Sequence, residues 1–180
     1  MKEFNFEQFR LKLKKETEKV FLQLKENHDD LCAFGLYSDE SAMSISISYN
    51  TQTHLKKMWV DDPEEKEYYQ WSPGEWLEES YVNAEFEKLN RELYPRNSDG
   101  ESFATDEQFL RFREKLFTIA VEVLLELKNE GLFNEFGGNF ILLFSVSEFE
   151  NVEKEIEWVK QLNAEEMSKR FEEWIIEDSK

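Results

Sequence analysis

The chain has 180 residues, 40% hydrophobic and 34% charged, with 16 Phe and 5 Trp against only 6 Gly and 3 Pro. So many aromatics exclude a disordered acidic tail, and the length suits one α+β domain, residues 1–180, that closes its core without metal or disulfide. Forty acids against 22 Lys and Arg leave a net charge of -18, which repels nucleic acid and anionic lipid and suits a basic protein partner.

Phe6, Phe9, Leu13, Val20 and Leu24 recur at mostly three- and four-residue steps, which predicts an amphipathic helix from residue 3 to about 27. Residues 1–20 are locally basic, with six Lys/Arg against four Glu. The plain reading is a solvated face with pairs such as Lys12 and Glu16. Leu31 to Tyr37 is almost wholly apolar, whereas Ala42 to Tyr49 alternates, with Met43, Ile45, Ile47 and Tyr49 against Ser44, Ser46 and Ser48. Joined by Ser38 to Ser41, the two read as an antiparallel hairpin with the serines on its less buried side. Gly35 inside the first strand implies a bulge or a close backbone approach.

Asn50 or Thr51 is placed to cap a helix running to about Trp59. Residues 61–80 then carry eight acids and one Lys, threaded with Tyr68, Tyr69, Trp71 and Trp76. Tyr68 to Trp71 is a candidate third strand. Ser72-Pro73-Gly74-Glu75 has the form of a capping box, with Ser at N-cap and Glu three residues on. Val82 to Leu93 is predicted helical, and Tyr94 to Ser102 a loop. Thr105 or Asp106 opens the longest predicted helix, whose wide apolar stripe suits a sheet and which Gly131 ends. Asn139 to Ser147 is the clearest strand, and its direction in the sheet stays open. Two helices follow, over about 149–161 and from Asn163, where Glu166 suggests another capping box. Bunched strands among dominant helices predict an α+β fold, a small mainly antiparallel sheet of three to four strands covered by several long helices.

Little in the chain carries catalytic chemistry. Gly137-Gly138 precedes a strand, whereas a phosphate loop needs glycines between a strand and a helix start. His28 and His54 are the only histidines, and Cys32, the only cysteine, belongs to an apolar strand. No metal or cofactor is expected. The longest unbroken apolar run, Phe140 to Phe144, is far too short to cross a membrane, and Met1 to Phe4 lacks the features of a signal peptide. A cytoplasmic location is the expectation. The most specific feature is the acidic and aromatic segment: Asp61, Asp62, Glu64, Glu65, Tyr68, Tyr69, Trp71 and Trp76. Trp71 and Trp76 serve either as core plugs beside a turn or as rigid anchors in an acidic protein-binding face.

An N-terminal helix, the Leu31 to Tyr37 strand, Asn50-Thr51 and Trp71-Ser72-Pro73-Gly74-Glu75-Trp76 occur here in that order. Glu130-Gly131-Leu132-Phe133, the Phe140 to Ser147 strand and Leu162-Asn163 complete the set. In these pieces the chain resembles the Domain of Unknown Function 4303 family of bacterial proteins. That resemblance implies no catalytic residues. It implies an immunity-type role, in which a cytosolic protein binds and neutralises a toxin. The expectation is therefore a non-catalytic protein-binding module with a basic partner such as a toxin domain. Nucleic acid and membrane are not expected partners, and self-association is not indicated. The alternatives are a small hydrolase or metal-dependent enzyme using Asp and Glu, and a self-associating accessory protein.

Overall fold

Short polar side chains set most of the helix starts. Asn5 accepts the Gln8 N–H at 2.9 Å and opens α1 (Phe6–Asn27). Thr51 accepts the His54 N–H at 3.2 Å at the head of α2 (Gln52–Asp61). Thr105 does the same for Gln108 at α5 (Asp106–Asn129), as does Asn151 for Lys154 at α6 (Val152–Leu162). Each takes up a backbone donor that the first helical turn leaves without a partner. The computed structural model describes residues 4–97, 103 and 105–178. The remaining elements are β1 (Leu31–Asp39), β2 (Ile45–Thr51), α3 (Lys66–Trp71), β3 (Glu78–Tyr81), α4 (Ala84–Asn97), β4 (Ile141–Ser147) and α7 (Glu165–Asp178), with short 3-10 turns at Pro73–Glu75 and Asn134–Phe136.

The four strands form one mixed sheet in the order β3-β2-β1-β4. β2 pairs antiparallel with β1 and β3, and β4 adds parallel to β1. The fold is α+β, with helices on both faces of the sheet. Alternation along each strand divides the core in two. Phe34, Leu36, Ile45, Ile47, Leu142, Phe144 and Val146 join the cluster of α1, α4 and α5. Ala33, Ile141 and Leu143 face the other way, onto Trp71, Trp76, Met167, Phe171 and Ile175. Gly35 permits a close approach of β1 to β4: a Cβ there would sit 2.3 Å from the Leu143 carbonyl oxygen. The close-approach reading of this glycine therefore holds.

Several expectations are corrected. Tyr68 to Trp71 is helical, within α3, and the third strand is instead β3. Ser72 makes no capping hydrogen bond through its side chain; its carbonyl accepts the Glu75 N–H at 3.0 Å in a single 3-10 turn. Ser46 and Ser48 are as buried as Ile45 and Ile47, because a second helical layer covers their face. Their hydroxyls donate to the Tyr37 and Glu79 carbonyls. Met43 and Ser44 precede the strand, held by the Asp39 carboxylate, which accepts both of their N–H groups at 3.1 and 2.8 Å. Met43 and Tyr49 are only half-buried.

Asn163 does not cap α7. Its Oδ1 accepts the Leu142 N–H at 2.9 Å and its Nδ2 donates to the Leu142 carbonyl at 2.7 Å. The side chain thus imitates a neighbouring strand along the open edge of β4, which would otherwise invite pairing with another chain. Of the loop predicted over 94–102, α4 takes up the first part, to Asn97, and residues 98–102 lie outside the described residues.

Candidate functional site

The segment after α2 folds around its tryptophans. Trp71 is 2% exposed and stacks edge-on against Phe171, with ring centroids 5.2 Å apart, while its indole N–H donates to Glu67 at 2.9 Å. Trp76 is 5% exposed and donates to the Gln70 carbonyl at 3.2 Å. A buried indole needs such a partner, and both have one. The two rings are part of the second core and fasten α3 and the following turn to the sheet. They hold the surface up; they do not form it.

The other six residues singled out in the sequence stay at or near the surface. Asp61, Glu64 and Glu65 are exposed, and Asp62 and Tyr69 are half-buried. Tyr68 is 37% exposed and donates to Glu75 at 3.0 Å. The two tyrosine rings meet edge-on at 5.5 Å. Partial desolvation raises the Tyr69 phenol, and the negative charges of Asp62, Glu75, Glu65 and Asp61 raise it further. The fold therefore gathers these carboxylates around Tyr69, with Glu75 as a member that the capping-box reading had assigned elsewhere.

Tyr68 also opens onto a groove of about 710 Å³ between α3 and α7. Glu64, Glu65, Glu67, Glu173 and Glu177 line it, with Tyr68 and Trp174 as its aromatic surface. Arg170 is the one cation that lines it among the described residues, and the guanidinium lies 2.7 Å from Glu67, which also accepts from Trp71. Sequence reasoning missed the α7 half of this groove. Glu173 and Glu177 stand one helical turn apart beside Trp174, a pattern that marks one face of a helix, but nothing local says which neighbour that face meets. Among the described residues, no group of three or more His, Cys, Asp or Glu side chains is placed to hold a metal ion. What the groove offers chemically is negative charge with exposed aromatic surface, which suits the binding of cationic side chains.

A second opening, about 700 Å³, lies at the C-terminal ends of β1 and β4. Tyr37, Glu79, Ser145, Ser147 and Glu155 give it its polar character. Burial raises the Tyr37 hydroxyl, which meets Glu79 and Ser147. Burial alone pushes the Glu155 carboxyl up to about 7, and that carboxyl has no hydrogen-bond or ion-pair partner among the described residues. A lone protonated carboxyl can donate a hydrogen bond, but acid–base catalysis also needs a positioned counterpart. Neither histidine lines this cleft. The His54 ring nitrogen lies 3.0 Å from the Glu75 carbonyl oxygen, and His28 packs 5.4 Å from Tyr49. Burial pushes the half-buried Cys32 thiol up to about 12, the reverse of what a nucleophile requires.

Among the described residues no helix is long and apolar enough to cross a membrane. No curated protein and no solved structure matches the chain. The pieces on which the sequence resemblance rests extend along the sheet and both helical layers, and the corresponding family model, domain of unknown function (DUF4303), matches residues 13–164, so the chain belongs to that family.

Proposed function

We propose that the chain is a non-catalytic protein-binding module that holds a basic segment of another protein in the acidic groove between α3 and α7. The observation that carries this reading is the groove itself: five glutamates and two aromatic rings, with a single cation already engaged by Glu67. Lys or Arg side chains entering it would meet carboxylates at their heads and the Tyr68 and Trp174 rings along their stems. The -18 charge of the chain would attract such a partner from a distance. In this reading the partner is a bacterial toxin whose cationic surface is covered, an immunity role that the family resemblance suggests, exercised in the cytoplasm.

Surface-bound kinetics with the protein encoded beside this one, at two salt concentrations, test the proposal. Charge reversal of Glu64, Glu65, Glu173 and Glu177 together should lower the association rate by about tenfold or more and flatten its salt dependence. Trimming Tyr68 should act mainly on the dissociation rate. If that protein does not bind, or binds with both sets of changes silent, the groove is not the interface.

A further inference from the structure

A third pocket, separate in chemistry from the acidic groove, lies on the same side of the sheet where β1 and β4 begin and β2 ends. It holds about 360 Å³ and is enclosed by α2, α3 and α7. In a chain with 40 acids, no Asp or Glu among the described residues lines it. Its polar lining includes Asn50, Gln70, Lys56 and Arg170, and its apolar lining includes Trp59 and Met167.

Two of these side chains are incompletely bonded. Asn50 is 0% exposed and Gln70 is 5% exposed, yet Asn50 Nδ2 and Gln70 Nε2 have no hydrogen-bond partner among the described residues. Neither amide can be turned round to cure this. Asn50 Oδ1 accepts the N–H groups of Thr51 at 2.9 Å and Leu77 at 3.3 Å, and Gln70 Oε1 accepts from Arg170 at 3.3 Å. A flip would set NH2 against donors in both cases. Two buried amide donors in the wall of the pocket are thus left without a partner, and such groups in a folded protein call for one. Lys56, exposed on α2, makes no ion pair among the described residues and supplies positive charge at the same pocket.

We propose that this pocket binds a small organic monocarboxylate with an apolar body. Its oxygens accept from the Asn50 and Gln70 amides, Lys56 balances its charge, and Trp59 and Met167 cover the apolar part. The volume lies near the lower end of the range for small-molecule sites, roughly 300–1,000 Å³. A dianion such as phosphate fits less well: one of the two lining cations is already held by Glu67, and the surrounding chain is strongly negative. This site does not depend on the reading of the acidic groove.

The test is NMR titration of the full chain, labelled at its methionine methyls and side-chain amides. The probes are N-acetyl-leucine and N-acetyl-phenylalanine, their uncharged primary amides, and inorganic phosphate. The carboxylates should shift the Met167 methyl and the Asn50 and Gln70 amide signals saturably at millimolar concentration, leaving the Met43 methyl unmoved. Lys56→Met, an exposed change that leaves the fold alone, should weaken this binding by about tenfold. Gln70→Leu should weaken it at least as much. The proposal is overturned if no carboxylate gives a saturable shift, if the uncharged amides or phosphate bind as well as the carboxylates, or if Lys56→Met binds like the parent.

Discussion

Glu155→Gln isolates a carboxyl whose titration is displaced by burial alone. In the folded chain Glu155 titrates near 7 in place of its ordinary 4.5, so folding takes up a proton between those two values. The sign follows. Below pH 4.5 the side chain is neutral whether folded or unfolded and costs nothing. As pH rises towards 7 the unfolded chain ionises freely while the folded one cannot, and stability falls. The gap corresponds to ~3 kcal/mol if fully expressed, and partial solvent access in the cleft brings it to about 1–3 kcal/mol.

Glutamine keeps the shape and removes the titration. The variant should match the parent at pH 4.5 and exceed it by that amount at pH 8. Urea unfolding of both proteins at the two pH values decides it, because the other acids are common to both and cancel in the difference. Equal pH dependence in the two proteins would refute the reasoning and return Glu155 to an ordinary solvated acid.

Gly35→Ala should destabilise the chain by about 1–3 kcal/mol in urea melts, because its methyl would press on the Leu143 carbonyl of the adjacent strand; an unchanged midpoint would mean that β4 can move aside. Ser72→Ala should be silent within about 0.5 kcal/mol, whereas Thr51→Ala should cost about 0.5–2 kcal/mol, since only Thr51 caps a helix through its side chain. Trp71→Ala should cost about 3–5 kcal/mol in the same assay, and Tyr68→Ala about 1 kcal/mol or less, which separates the ring that braces the groove from the ring that faces it.

Local signals in the sequence go a long way toward the fold. Periodicity located α1 and α5, apolar runs located β1 and β4, alternation located β2, and Thr51, Thr105 and Gly131 marked helix ends that the structure keeps. The errors share a cause. Asn163 and Ser72 carry the residue types of a cap, but residue type alone does not say what the side chain will reach: Asn163 turns to the edge of β4, and Ser72 sits in a turn too short to need a side-chain cap. Ser46 and Ser48 look solvent-facing until a second helical layer, distant in sequence, is laid over them. The α3–α7 groove was only half legible for the same reason. One wall, 64–68, is contiguous and conspicuous, while the other comes from residues more than 100 positions later.

The distribution of ion pairs explains why the groove side carries the unbalanced charge. The basic excess of residues 1–20 reads locally as a solvated helix face, but the fold spends it across helices. Lys12 pairs with Glu92 of α4 at 2.6 Å, Lys14 with Glu126 and Glu130 at the end of α5, Arg10 with Glu126, and Lys25 with Glu135. Each such exposed pair contributes little to stability, about 0–1 kcal/mol. Their larger effect is on the field, because they neutralise acids on the α1, α4 and α5 layer. On the opposite layer, Glu67, Glu165 and Glu172 pair with Arg170, Lys169 and Lys160, but Glu64, Glu65, Glu173 and Glu177 have no ion-pair partner among the described residues. The -18 charge is therefore not spread evenly. It leaves the second layer more negative than the first, so the cationic partner proposed for the groove would be drawn to one side of the molecule, and its association should be fast and salt-sensitive because the N-terminal lysines are engaged on the other side.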